Sequence, residues 1–219
     1  MSTFAARACR CPACGAVEAR RIAAALNGGR ALAERAAILD GSFQRAPCAA
    51  CGAPYTVEDP LIYSDLGRRQ LVQVAARRDH ARWPALEAAV AARAAQVLTG
   101  PDAPAAAAAL AVGLRVRLVF GLVALREKLL AWDAGLDDVD LELLKLAAMR
   151  EVGEPLARAA TLRLVACTAD AAVLLDDAAT RWEVPRDALP ADAFAELRAA
   201  LGAGTYVDLA RLAYLSMSA

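Results

Sequence analysis

Cys11-Pro12-Ala13-Cys14-Gly15 and Cys48-Ala49-Ala50-Cys51-Gly52 decide the reading of this chain. Each stretch offers two thiols from one tight turn, the separation at which a protein turn places two ligands on a tetrahedral cation. Glycine follows the second cysteine in both, where a positive φ turns backbone N–H groups toward sulfur. Two such pairs complete a four-cysteine shell. The pattern therefore predicts one structural Zn2+ per chain, held by Cys11, Cys14, Cys48 and Cys51. A disulfide pair or plain reduced thiols are the alternatives. The start, Met1-Ser-Thr-Phe-Ala-Ala-Arg-Ala-Cys9, lacks the apolar run of a signal peptide, so a cytoplasmic location is expected, where stable disulfides are rare. Cys9 stands in a C-x4-C relation to Cys14 and is expected just outside the shell, and Cys167 lies in an apolar run that reads as core.

Between the pairs, Ala31, Leu32, Ala36 and Leu39 recur at helical spacing and the run stops at Asp40-Gly41, which predicts a short helix over 29–39 with Gly41 just beyond its end. After the second pair, runs at 54–58, 61–64 and 69–75 read as three short antiparallel strands punctuated by Pro60 and Gly67. Residues 83–98 form an amphipathic helix with Pro84 in its first turn. Thr99-Gly-Pro-Asp-Ala-Pro104 is the candidate linker, dividing the chain into a zinc-ribbon-like domain with a flanking helix (1–100) and a second domain (101–219).

Downstream, 114–120 alternates apolar and charged residues and is either a strand or the start of the next helix. Helices follow over 121–134 and 137–151, parted by Gly135, with Asp137 or Asp138 able to cap the second. That second helix is apolar almost all round and must be buried in a core or a subunit interface, so a protein partner or homo-oligomer is expected. Strands over 161–168, 172–176 and 180–184 and helices over 194–201 and 206–215 close the chain. The fold class is α+β: an N-terminal four-cysteine zinc-ribbon-like antiparallel β module with an inserted helix, then a helical and mixed α+β C-terminal half.

The 219 residues carry 25 basic and 25 acidic side chains, so no global charge draws the chain to a polyanion. Alanine makes up about a quarter of the chain and lowers the burial power of its 58% hydrophobic content. Lys128 and Lys145 are the only lysines, against 23 arginines, a bias that reads as codon drift. The most membrane-like stretch, 105–125, carries Arg115 and Arg117 near its centre, so no membrane span is expected. His80 is the only histidine and has no catalytic partners in the sequence, and P-loop, G-x-G-x-x-G, H-E-x-x-H and G-x-S-x-G patterns are all missing. An enzyme is not expected.

The segment 11–73, with its Cys-Pro-x-Cys turn, Ile38-Leu-Asp-Gly-Ser-Phe-Gln44, Cys48-x-x-Cys-Gly and Leu61-Ile-Tyr-Ser-Asp-Leu66, resembles the bacterial CpXC family. The run Leu114-Arg-Val-Arg-Leu-Val-Phe-Gly-Leu-Val-Ala-Leu-Arg-Glu-Lys-Leu-Leu130, then Gly135-Leu-Asp-Asp138 and Glu142-Leu-Leu-Lys145, is similar to a stretch of its longer members. The resemblance implies a zinc-binding module with Cys11, Cys14, Cys48 and Cys51 as ligands, and no particular reaction. The second pair reads Cys-Ala-Ala-Cys where the family usually has Pro, which removes turn rigidity but neither thiol. The function expected is a non-catalytic protein-interaction or scaffold module. A nucleic-acid-binding regulator using Arg20, Arg21, Arg30 and Arg35, and a redox switch in which Cys9 joins the zinc cysteines, are the alternatives.

Overall fold

In the computed structural model, which describes residues 1–154, 161–189 and 194–212, the chain opens with an antiparallel hairpin, β1 (Thr3–Arg10) and β2 (Val17–Asn27). The expected helix forms as α1 (Leu32–Asp40) and ends at Gly41, whose φ of 83° breaks the helix while the Ser42 N–H bonds back to the Ala37 carbonyl. Two three-residue strands, β3 (Arg45–Pro47) and β4 (Pro54–Thr56), pair antiparallel around the second cysteine turn. A hairpin follows, β5 (Leu61–Asp65) and β6 (Gln70–Ala75), then a 3-10 turn over Arg77–Arg82, the helices α2 (Trp83–Thr99) and α3 (Ala105–Ala111), and β7 (Arg115–Phe120).

The main sheet has the order β1-β2-β5-β6-β7. Of the three antiparallel strands expected after the second cysteine pair, β5 and β6 pair so, but β4 pairs antiparallel with β3 in a separate two-stranded sheet. The β1–β2 pair is antiparallel too, whereas β2–β5 and β6–β7 are parallel, because a crossover separates each pair. Alternate residues Leu26, Tyr63 and Val72, and Leu61, Val74 and Val119, are almost completely buried. On α1, Ile38 is buried and the Arg35 Nε donates to the Tyr63 hydroxyl at 3.2 Å, which sets this helix over that buried face.

The chain divides into two compact units, Met1–Leu125 and Arg126–Ala219, rather than near residue 100. The stretch at 99–104 is only the turn between α2 and α3. The ambiguous run at 114–120 is a strand, paired parallel with β6 from Gln70↔Arg115 to Ala75↔Phe120, and this ladder keeps α2, α3 and β7 in the first unit.

A helix, α4 (Gly121–Asp133), runs across the division. The second unit continues with α5 (Asp138–Glu151), a three-stranded antiparallel sheet of β8 (Arg163–Cys167), β9 (Ala171–Leu175) and β10 (Arg181–Pro185) with β9 central, and α6 (Ala195–Gly202). Asp137 caps α5, its carboxylate accepting from the Val139 N–H at 2.9 Å. The apolar circumference of α5 is used within its own unit, where Leu141, Leu143, Leu144 and Leu146 join Leu164, Leu174 and Leu209 in one core. Of the helix expected over 206–215, residues 209–212 are helical, 206–208 are not, and 213–215 lie outside the described residues. Among the described residues no helix is long and apolar enough to cross a membrane.

Candidate metal centre

The two cysteine turns are built alike. In the first, the Cys11 N–H donates to the Ala16 carbonyl at 2.8 Å and the Gly15 N–H to the Cys11 carbonyl at 2.9 Å; in the second, the Cys48 N–H donates to Ala53 at 3.0 Å and the Gly52 N–H to Cys48 at 2.8 Å. Gly15 and Gly52 hold φ of 76° and 73°, the left-handed conformation the sequence required of them. Each turn buries its first cysteine and exposes its second.

The four thiols of Cys11, Cys14, Cys48 and Cys51 converge, all sulfurs lying within 4.8 Å of one another, so they could hold a metal ion. The turns interlock: Cys11 meets Cys51 and Cys14 meets Cys48, each at 3.8 Å between sulfurs. A tetrahedral cation with thiolates at about 2.3 Å has sulfur–sulfur edges of about 3.8 Å, whereas a disulfide needs about 2.05 Å. All six cysteines are free thiols. The Cys14 backbone N–H and its neighbours draw the Cys11 thiol down to about 7 against the opposing effect of burial. At Cys14 the Ala16 N–H pulls the same way but is outweighed by the neighbouring thiols of Cys51, Cys11 and Cys48 and by burial, which push it up to about 12. Negative charge on one sulfur thus discourages charge on the next, a conflict that a cation at the centre resolves.

What holds the turns in register escaped the sequence reading. Glu18, on β2, accepts from the Ala49 N–H in the second turn at 3.1 Å, from the Tyr55 hydroxyl at 2.8 Å and from the Arg20 Nε at 2.7 Å. Arg20 stacks on the Tyr55 ring at 3.9 Å and donates to the Ala46 and Pro47 carbonyls that lead into Cys48. The Tyr55 hydroxyl, Ala49 N–H and Arg20 hold the Glu18 carboxyl below its ordinary value. Arg10 clasps the first turn through the Gly15 carbonyl at 3.1 Å. Gln44 ties Ala23 of β2 to Val57 beyond β4, which gives the Asp40-Gly41-Ser42-Phe43-Gln44 stretch its purpose: end α1, bury Phe43, and hook the second turn onto β2.

Glu18→Ala leaves all four thiols but unties the second turn from β2. Its metal affinity, read by competition with a chromogenic chelator, should fall about 10–100-fold, as losses of supporting bonds around metal ligands do.

The remaining candidates take other places. Cys9 is buried beside the centre with its thiol on the Arg7 carbonyl at 3.5 Å, outside the four-sulfur cluster. Cys167 is half-buried against the core of the second unit. His80 packs edge-on against Phe120. Of the arginines considered for nucleic acid, Arg20 is committed to the second turn, Arg35 is buried on Tyr63 and Arg21 stacks over Phe4. In the second unit, Asp138 and Glu142 of the acidic run face Lys128 inside the protein, and Glu142 also meets Lys145.

Among known protein families, the model of the CpXC family, described as CpXC protein, fits residues 9–145, which includes all four clustered cysteines. Neither the curated proteins nor the solved structures return a significant match.

Proposed function

The chain belongs to the CpXC family, and from that premise we propose that it binds one structural Zn2+ through Cys11, Cys14, Cys48 and Cys51 and works without catalysis, as a protein-interaction or scaffold module. The observation that carries the zinc reading is the meeting of four sulfurs from two turns far apart in sequence, with opposite pairs 3.8 Å apart. Thiolate-only tetrahedral sets suit zinc among common divalent ions. Four protein ligands leave the ion no open position for substrate, which supports a structural rather than a chemical use of the metal.

Elemental analysis of protein purified without added metal should find about one zinc per chain. The cobalt-substituted protein should show the intense visible bands of a tetrahedral thiolate site, and Cys14→Ser should lose both the zinc and the bands. Iron as the native metal, or a stoichiometry unchanged in Cys14→Ser, overturns the assignment. The interaction reading requires a partner that is retained by the zinc-loaded chain and lost by Cys14→Ser.

A further inference from the structure

Helix α2 lies along the sheet without sealing against it. Its apolar stripe runs through Leu86, Val90, Ala94 and Leu98, yet of the whole helix only Trp83 is fully buried. The strand residues facing it, Ile62, Leu71, Gln73 and Val116, are likewise only partly covered. The result is a groove open to solvent between two apolar surfaces, an exposed apolar patch of the kind that can mark a ligand site.

The gap has two lobes that share Gln73, Val90 and Arg93. One, of about 220 Å3, is walled beyond that junction by Ile62, Leu71, Ala94, Val97, Leu98 and Val116, with no polar side chain among them. The other, of about 230 Å3, is lined in part by Asp79, which pairs with Arg82 at 3.9 Å. Among the described residues Arg93 makes no hydrogen bond or ion pair. A cation without a partner thus borders an otherwise apolar lobe, while the only acidic side chain lining the second lobe, Asp79, is already paired.

We propose that this groove binds a medium-chain fatty carboxylate, its alkyl chain in the apolar lobe and its carboxylate on Arg93. The orientation follows from Arg93 being the only cation that lines either lobe, since the second lobe offers a carboxylate head no other complement. The tail replaces water against Ile62, Leu71 and Val116, and each methylene buried should tighten binding about fourfold until the lobe is full. Val97, 57% exposed, forms the outer lip and is covered by the chain end.

Titration of the full zinc-loaded chain with octanoate, decanoate and dodecanoate, followed by calorimetry, should show saturable one-to-one binding that strengthens along the series and then levels off. Arg93→Gln should weaken decanoate by about tenfold while leaving decanol unchanged. Ala94→Phe, which fills the lobe from a half-buried helix position, should abolish binding of both while the folded spectrum is kept. Three results overturn the proposal: no saturable binding below ~1 mM, decyltrimethylammonium binding as well as decanoate, or Ala94→Phe binding decanoate unchanged.

Discussion

Exhaustive chelation should unfold the two cysteine turns and the β3–β4 ladder while β5, β6 and β7 stay folded. The reason is the small size of what else holds that region. Its apolar cluster consists of Cys9, Cys11, Ile22, Cys48 and Tyr55, with Ala16 and Val57 alongside, and two of those members are themselves proposed ligands. All three residues of β3 are exposed and β4 buries only Tyr55. Burying Ile22 and Tyr55 contributes about 1.5–3 kcal/mol each, against about 1–2 kcal/mol of backbone entropy for every residue ordered. A structural zinc supplies apparent binding free energies of about 10–16 kcal/mol in small zinc modules, comparable with the stability of a whole domain.

By contrast, Tyr63, Val72, Val74 and Leu118 lie at 0–1% exposure in strands that no cysteine enters. Hydrogen exchange followed by mass spectrometry should therefore show protection lost at residues 9–18 and 42–57 in the metal-free chain, kept at 61–75, and restored by added zinc. Acid should act as chelation does, because thiol protons compete with the metal. A chain shown by native mass to be metal-free, with its exchange pattern and melting unchanged, would falsify the structural role of the metal.

The parts of this centre that were legible in the sequence are those encoded within a few residues. Each cysteine turn carries its own glycine, α1 carries its own stop at Gly41, and α5 carries its own cap at Asp137. The β1–β2 hairpin carried no such signal: Ala-rich strands such as Ala5-Ala6-Arg7-Ala8 have low intrinsic β preference and are extended because they pair with each other. Parallel pairing of β7 with β6 was equally hidden, since the alternation at 114–120 specifies a strand but not its neighbour. Glu18, Arg20 and Tyr55 were invisible as a group because Glu18 meets Tyr55 across 37 positions and Ala49 across 31. A charged residue at alternate positions of an otherwise small-residue strand was the only hint. The two lysines, read as drift in the sequence, are both buried at 0–2% exposure in one ion cluster around Glu142.

Lys145→Met should cost the second unit about 3–5 kcal/mol, the loss expected when one partner of a buried ion cluster is removed and its counter-charges stay behind. Lys145 is fully buried on α5 and donates to the Glu127 carboxylate at 2.9 Å and to both oxygens of Glu142 at 3.1 and 3.2 Å. Lys128, on α4, donates to Glu142 at 3.3 Å and to the Val207 carbonyl at 2.6 Å, while Arg163 bridges Glu127 and Asp208. The carboxylates have further donors in the Leu164 and Leu209 N–H groups, so the cluster ties α4, α5, β8 and the segment after α6 together. Methionine nearly matches lysine in volume, so the loss reflects charge rather than a cavity.

The acid side gives a second readout. Burial opposes ionisation of Glu127 and Asp208, but Lys145 and Arg163 more than offset it and hold both carboxyls below their ordinary range. Their contribution is therefore complete above the unfolded carboxylate range, near pH 4, and is lost as pH falls through their folded values. Glu142 has the opposite sign: burial raises it beyond what Lys145 and Lys128 restore, so its contribution is present in acid and declines as pH rises through its folded value. Without Lys145 all three carboxyls move up, and the acid limb of the stability curve should shift to higher pH. Lys145→Arg keeps the charge but forces a larger planar group into a filled site and should cost about 1–3 kcal/mol. Pairing Lys145→Met with Glu142→Leu should recover much of the single-variant loss, since it removes a charge and its stranded partner together. Urea midpoints read from exchange protection in α5 and β9 measure each effect. Lys145→Met within about 1 kcal/mol of the parent by that measure, or a double variant worse than the sum of its parts, would mean that the apolar core of α5 carries this unit and the ion cluster is incidental to it.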